Sequence, residues 1–516
     1  MQLNESDLSW RSLPGTLPVR HAVVSREQLL LLCRDVAGRG ARLVSLWGED
    51  RRAAGVGYVL VVVLDLTSRL LLTESISRSP NPGFPDLSQL FPSAGRMQRA
   101  THDLLGFNFL GADARPWLRH SAWAKDAYPL RHDFVAAAVS APPLPTEIYP
   151  FVRVEGDGAH EIAVGPVHAG TIEPGHFRFS VVGEKVLRLE QQLGYTHKGI
   201  EKRFEGLSVQ QGSKLAARVS GDSAVAYAWA YAMAVESLTD TQVPARALAL
   251  RALLLERERL ANHLGDLGGI GNDAGLSFGL AQFSRLKEDL LRVNATVWGA
   301  RYLFDEILPG GVATDLAPTA LPILLDSLAA MAAEVAVLQD IYDNHAGLQD
   351  RFHGAGVLSA KLARQLGVVG LAARASGQAQ DWRAALEIPP YDGFAIGSVL
   401  AEGGDVAARV AVRFDEIAES LQVCRGLLTD LPSGEISVAV GKTRADELAV
   451  GGIEGWRGPI LVGLRVAADG RIARCHPHDP SWLNWPALEH AIIDNIVPDF
   501  PLINKSFNLS YSGQDL

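Results

Sequence analysis

The segment Ala141-Pro-Pro-Leu-Pro145 constrains this chain more than any other stretch. Three prolines in four residues fix φ, remove backbone donors and stop a helix from running through, so the segment reads as an extended linker. It divides the sequence into an N-terminal section (1–140), the linker (141–149) and a C-terminal section (150–516). A chain of 516 residues, 47% of them apolar, can bury a large core and fill two or three domains.

Ahead of the linker the pattern is that of a small α/β unit. Arg26–Val36 is expected as a short amphipathic helix with Leu29, Leu30 and Leu32 on its apolar side. Val56–Leu64 is a β-branched run and reads as a buried strand, Leu70–Ser75 as a second strand, and Pro80-Asn-Pro-Gly-Phe-Pro85 as a turn. Beyond the linker, Glu161–His168 and His176–Val182 alternate like strands, and a turn at Gly183-Glu184 leads into Val186–Leu189. A helical section follows, with helices predicted over Ala245–Leu260 (Pro244 at its start), Leu286–Phe304, Leu321–Ile341 and Ala407–Leu428. Ala224–Val235 alternates like a strand, but its six alanines favour a helix. Short strands return at Ile460–Val466 and Arg471–Cys475 around the turn Asp469-Gly470. The fold class expected is therefore α+β: a small α/β section, then a mainly helical section with a β-rich opening and a β-rich end.

Composition narrows the function. The net charge of -10 and the absence of a Lys/Arg block argue against nucleic acid as a partner. Cys33, Cys424 and Cys475 lie far apart and form no Cys-x-x-Cys. That fits a reducing compartment, rules out a clustered thiolate metal site, and leaves each as a small buried hydrophobe. No Gly-x-Gly-x-x-Gly follows a strand, so a nicotinamide or flavin site is not expected. The N-terminus has no apolar signal core. The longest apolar runs, Tyr58–Leu64 and Ala224–Val235, fall short of the ~18 residues a membrane span needs. No transmembrane segment is expected, and any membrane attachment is expected through partners. Arg257, Glu258, Arg259, His263 and Asp266 form a charged helical stripe, expected as a solvated or interface ion-pair network.

Several motifs carry a family resemblance. Gly165-Pro-Val-His168, Glu173-Pro-Gly-His176-Phe-Arg178 and Gly194-Tyr-Thr-His-Lys-Gly-Ile-Glu-Lys202 resemble the opening of group 4 nickel–iron hydrogenase large subunits, of the formate hydrogenlyase and hydrogenase-4 type. More loosely, they are similar to the quinone-site subunit of respiratory complex I. Leu255-Glu-Arg-Glu-Arg-Leu-Ala-Asn-His-Leu-Gly-Asp266, Val369–Gly377, Glu454-Gly-Trp-Arg-Gly458 and His476–Pro486 continue the resemblance. Arg99-Ala-Thr-His-Asp-Leu-Leu-Gly106 with Tyr128-Pro-Leu-Arg131 looks like the neighbouring small complex I subunit, although Gln98 and Ala100 stand where that pattern is acidic. Each motif is weak alone; their order over ~350 residues is specific.

The resemblance implies two Cys-x-x-Cys pairs that hold nickel and iron. Here those positions are Ser220, Ser223, Ser510 and Gly513. A hydroxyl is a poor ligand for soft metals, so no metal site is expected on this chain. It also implies a quinone held between a His and a Tyr. The His falls at His176 and the Tyr at Gly221. Tyr227 and Tyr511 are substitute donors chosen because they lie near the two altered motifs, with aromatic core packing as the alternative for each. Glu173 matches a proton-passing Glu, a role that an apolar pocket with a raised pKa would suit, with a Glu hydrogen-bonded across a β-turn as the alternative; Asp222 could carry a proton or bind a cation. His168 and His197 read as structural.

The function expected from the resemblance is a peripheral-arm subunit of a membrane-associated complex I-like or hydrogenase-4-like redox complex, lining a quinone-type acceptor site. The chain is not expected to be a hydrogenase or to be active alone. Its cofactor would be at most a quinone. The iron–sulphur cluster would sit in a neighbouring small subunit, with antiporter-like or anchor subunits in the membrane, and the chain would lie on the cytoplasmic side of the inner membrane. The competing reading is a non-catalytic scaffold subunit.

Overall fold

The computed structural model describes residues 8–119, 123–124, 126–135, 149–168, 172–397 and 399–516. The proline-rich linker lies outside the described residues. The N-terminal section forms a five-stranded sheet from β1 (Arg11–Ser12), β2 (Val19–Val24), β3 (Arg42–Arg51), β4 (Gly57–Asp65) and β5 (Leu70–Ser77), in the order β1-β2-β5-β4-β3. Only the β2–β5 pair is parallel. Helix α1 (Arg26–Gly38) opens with a capping box in which Ser25 and Gln28 satisfy each other's backbone donors. Strand β4 is buried along its whole length, as its unbroken apolar run requires. Helix α2 (Ala94–Leu105) ends at Gly106, where an added Cβ would run into Tyr128 and Arg131. The two motifs that resemble the small complex I subunit therefore meet at one glycine.

The C-terminal section opens with the antiparallel strands β6 (Ala159–Val164), β7 (His176–Val182) and β8 (Lys185–Gln192). Helices α3 (Ala224–Thr239), α4 (Ala245–Asp273), α5 (Ser277–Trp298), α6 (Ala320–Asn344) and α7 (Val406–Thr429) follow, then the meander β9 (Leu448–Glu454), β10 (Pro459–Val466) and β11 (Ile472–His478). The alanines of α3 do make a helix, and their small size lets β9 lie directly on it. A Cβ on Gly451 would stand 2.0 Å from the Ala230 carbonyl oxygen. The other face of the same meander meets the N-terminal section, with Gly463 against Trp47 and Gly452 against Leu17, and Trp382 of the C-terminal section also packs on Gly452. Covered on both faces, β9 and β10 are buried throughout.

Two polar clusters lock the sections together. Arg474 reaches Glu201 at 2.7 Å and the Gly48 carbonyl at 3.1 Å, while His476 bonds Glu201 at 2.6 Å and Ser45 at 3.1 Å and stacks on Trp47. Arg465 bonds Glu49 and Glu74 at 2.8 and 3.3 Å.

Three sequence expectations change. Helix α5 starts at Ser277 and stops at Gly299, not Phe304, because that glycine takes a left-handed conformation (φ 76°) that caps the helix. The charged stripe on α4 is not solvated: Arg257, Arg259, His263 and Asp266 are at most 4% exposed. Helix α4 runs through the middle of the bundle, and its charges find Asn294, Glu416 and Arg413 there. Finally, α6 is long and apolar enough to cross a membrane by length and composition, with a mean hydropathy of 1.9. Counting uninterrupted apolar runs passes over it because Asp326, Glu334 and Asp340 interrupt them. One of its faces, including Leu324, Leu328, Met331 and Val335, is buried, and the helix packs on α5 and α7.

Gly451→Ala should lower stability by about 1–3 kcal/mol in urea unfolding, since backbone on α3 has to give way. A second expectation concerns acid. Burial pushes the Glu201 carboxyl up, but Arg474 and His476 outweigh this and hold it at about 2. Its contribution is therefore complete above the ordinary value of 4.5 and is lost as pH falls toward 2. Unfolding midpoints in that window should fall less steeply for Glu201→Gln than for the unaltered chain.

Candidate functional site

The segment Ser510–Leu516 is buried, and it draws distant parts of the chain to one place. Ser510 caps the short helix Tyr511–Asp515, its hydroxyl oxygen accepting the Gly513 N–H at 2.9 Å. The same oxygen lies 2.9 Å from that of Ser220. Ser220 donates to an Asp222 carboxylate oxygen at 2.7 Å, so its single proton is committed and Ser510 must be the donor in the serine pair. The chain of bonds thus runs one way: Gly513 N–H to Ser510, Ser510 to Ser220, Ser220 to Asp222. Asp222 is also bonded by Arg457 at 2.5 Å. Burial pushes its carboxyl up, but Arg457 and Ser220 outweigh this and hold it below its ordinary value. Its carbonyl accepts from Asn262 and from the Trp456 indole N–H. Ser223 is buried at the start of α3.

Asp479 fills the space beside Gly513. A Cβ at 513 would stand 2.2 Å from a carboxyl oxygen of Asp479. That carboxyl accepts from the Tyr227 hydroxyl at 2.7 Å and from the Ser481 N–H at 2.8 Å. It has no exposure, and burial raises its pKa despite Arg457. The Tyr227 hydroxyl is therefore already engaged. Tyr511 packs on Trp485 and against Gly175.

Of the predicted site residues, Ser220, Gly221, Asp222, Ser223, Tyr227, Ser510 and Gly513 come together here. Glu173 touches the same C-terminal helix from outside, accepting the Ser512 N–H at 3.0 Å. It is exposed, not held in an apolar pocket, because the turn it occupies lies on the surface of this chain. His176 stands further along that edge. Its Nδ1 faces the Gly165 carbonyl at 3.4 Å, its ring lies 5.2 Å from that of Phe151, and its Nε2 is buried with no partner among the described residues. Burial lowers its pKa.

On the other side of Gly221 and Asp222 is a cavity of about 380 Å³, walled by Val225, Ala261, Leu291 and Phe304 and reached by Glu258, Asn262 and Lys287. Glu258 accepts the N–H groups of Val225 and Ala226, the first turn of α3. Burial pushes its carboxyl up to about 8. Sequence reasoning assigned no role to Arg457, Asp479 or Asn262. Their signal was present in the quoted motifs Glu454–Gly458, His476–Pro486 and Leu255–Asp266, but which residue faces the serines depends on the fold. The three cysteines are buried, and burial raises each thiol above its usual range.

If this packing is right, Gly513→Ala should cost about 1–3 kcal/mol, since the methyl displaces a buried carboxyl. Ser510→Ala should cost about 1 kcal/mol through the lost hydrogen bonds. Urea unfolding of both variants checks this; a smaller loss at 513 than at 510 contradicts it.

Comparisons with known proteins place this arrangement in context. A model of the respiratory-chain NADH dehydrogenase 30 Kd subunit matches residues 22–140, and one of the 49 Kd subunit matches residues 273–451. The chain is 31% identical over 484 residues to formate hydrogenlyase subunit 5 of Escherichia coli (strain K12), covering 92% of this chain and 85% of that protein. It is 28% identical over 478 residues to hydrogenase-4 component G of the same organism, covering 91% and 83%. The C/D subunit of NADH-quinone oxidoreductase from Phocaeicola vulgatus is 28% identical over 408 residues, covering 75% and 77%. Among solved structures, a chain of the membrane-bound sulfane sulfur reductase, an archaeal respiratory membrane complex, matches with a TM-score of 0.65 at 24% identity, over 70% of this chain and 99% of that one. That last likeness is one of fold.

Proposed function

Because this chain belongs to the family of formate hydrogenlyase subunit 5 and joins a 30 kDa-type to a 49 kDa-type complex I sequence, we propose that it lines the electron-acceptor site of a membrane-associated, complex I-like redox complex without a nickel–iron centre. One observation carries the reading: the positions that the resemblance assigns to metal ligands hold two hydroxyls bonded to each other and a glycine whose side-chain space belongs to Asp479. Nickel–iron chemistry needs four soft, negatively charged thiolates. Serine oxygens in a committed hydrogen-bond chain and a bare glycine do not fit that group.

The chain's own residues suit proton handling better than metal binding. The hydroxyl chain ends on an ionised Asp222 held by Arg457. Glu173 stands at the outer edge of the C-terminal helix, and the buried Nε2 of His176 has no partner among the described residues. These two groups are assigned to the acceptor edge, where Nε2, with the Nδ1–H turned to the Gly165 carbonyl, can accept a hydrogen bond from a quinol hydroxyl. Electrons would arrive from an iron–sulphur cluster on a neighbouring small subunit. Antiporter-like or anchor subunits would tie the complex to the membrane, with this chain on the cytoplasmic side. The second reading, a scaffold subunit that keeps the fold for assembly, is favoured by a different observation: the Tyr227 and Ser220 hydroxyls are spent on internal bonds.

The two readings separate in the assembled complex. Glu173→Gln and His176→Ala should lower acceptor reduction by about a hundredfold with assembly intact, the scale of a lost general acid or hydrogen-bond partner. Full turnover in both variants favours the scaffold. Elemental analysis should find no nickel; stoichiometric nickel would overturn both readings.

A further inference from the structure

Behind the serine site, helices α4 and α7 enclose a second polar system. Glu256, Arg259 and His263 come from α4, and Glu416 and Glu419 from α7. Between α6 and α7, Arg374 ends the short helix Gly370–Arg374 and Asp381 caps the short helix Trp382–Ala385, which carries Arg383, and Glu454 ends β9. Glu256 bonds Arg383 at 2.9 Å and Arg259 at 3.3 Å; Glu416 bonds Arg374 at 2.7 Å and Arg259 at 3.4 Å. Asp381 and Glu419 share Arg383 at 2.6 and 2.7 Å, and Glu454 bonds Arg374 at 3.0 Å. None of these side chains is more than 8% exposed.

The charges do not balance. Five carboxyls face three guanidiniums, so full ionisation would leave two buried negative charges uncompensated, which is prohibitively costly. Neighbouring cations do not cancel the excess. Arg413 is matched by Asp266 at 2.8 Å. Arg409 turns to Ser506, two carbonyls and Asp405, and Arg257 to Asn294. His263 is a poor carrier of a charge here. Its Nε2 bonds Glu416 at 2.7 Å, but its Nδ1 is buried without a partner among the described residues, and burial, with Arg413 and Arg259, lowers its pKa.

We propose that this cluster is a proton-loading site, in which Glu454 and Glu419 hold the protons that five carboxyls against three guanidiniums require. Both share their guanidinium with a better-placed carboxylate. Burial and the Asp381 carboxylate push Glu454 up to about 7, and burial pushes Glu419 up against the pull of Arg383. Glu256, Glu416 and Asp381 stay below their ordinary range, since the guanidiniums outweigh burial. Glu419 is the member nearest solvent. At the other end, His263 lies edge-on to Trp456, 6.1 Å between ring centres, and the Trp456 indole donates to the Asp222 carbonyl. The use of the store rests on the acceptor-site reading: reducing a quinone to the quinol takes two electrons, from the iron–sulphur subunit, and two protons, which this cluster can pass on one at a time, each replaced from solvent through Glu419 before the next leaves.

The proton count is testable on the full-length chain with no acceptor present, so it stands or falls separately from that reading. Infrared spectra near pH 6 should show the carbonyl stretch of a protonated carboxyl, shifted in D₂O. The band should lose intensity in Glu454→Gln and in Glu419→Gln and lose both contributions in the double variant, leaving what Glu258 and Asp479 contribute. Glu416→Gln should keep the band while lowering the unfolding midpoint, because Arg374 and His263 lose an ionised partner. The pH dependence has a definite sign: a carboxyl whose folded value is raised stabilises the fold below 4.5, and that contribution is lost as pH climbs through about 7. The unaltered chain should therefore lose stability over that range relative to Glu454→Gln. Absence of the band, a double-variant band as strong as that of the unaltered chain, or parallel pH curves would each overturn the proposal.

Discussion

The site depends on burying one short segment, Ser510–Leu516, against parts of the chain that are remote in sequence. Ser510 meets Ser220 across 290 residues, Asp515 accepts from Thr196 across 319, and Ser512 reaches Glu173 across 339. The Leu516 carbonyl closes the set by accepting the N–H groups of Lys198 and Ile200. Such pairings carry a large loop-closure cost and gain nothing from local propensity, so the rest of the fold has to bring them together. The C-terminal meander does much of this. Held between α3 and the N-terminal sheet, it delivers Arg457 from the β9–β10 turn and Asp479 from just beyond β11.

Asp479 and a side chain at position 513 exclude each other. With Gly513 in place, the aspartate swings into a space that any larger residue would occupy, and there it meets Tyr227. The centre is then held by hydroxyls, carboxyls and one guanidinium, all hard and strongly hydrogen-bonding. Its single cation, Arg457, is matched by Asp222, so a second ionised carboxylate beside it would be unpaired. Burial resolves this by raising the Asp479 pKa.

Much of the architecture was legible because it rests on local pattern. The unbroken run of β4, the alanine-rich α3 and the amphipathic α7 appear close to where their periodicity puts them. That Ser220, Ser510 and Gly513 belong to one place was legible too, since the motifs around them fix the register. What failed was the surroundings. The sequence period of Arg259, His263 and Asp266 places them on one face of α4, but it cannot say whether that face meets water or Glu416 and Arg413. Nor could Asp479 be assigned, because its role follows from the missing side chain at Gly513, which is remote in sequence. For α6, the run-length test failed for a simple reason: three charges interrupt the runs without making the helix polar.

Helix α4 links the two polar systems, and its spacing shows how. Glu256, Arg259, His263 and Asp266 recur at helical intervals and face α7. Glu258 and Asn262, four apart, face the start of α3 and the serines. An apolar α4 of the same volume would pack at least as well, because buried ion pairs seldom repay the loss of hydration. Stability therefore does not account for nine charged or titratable groups sealed around one helix. Their uneven count does point to a use. A balanced network would be inert over the physiological range, whereas five carboxyls sharing three guanidiniums must bind protons, and Glu454, pushed up to about 7, can release its own near neutral pH.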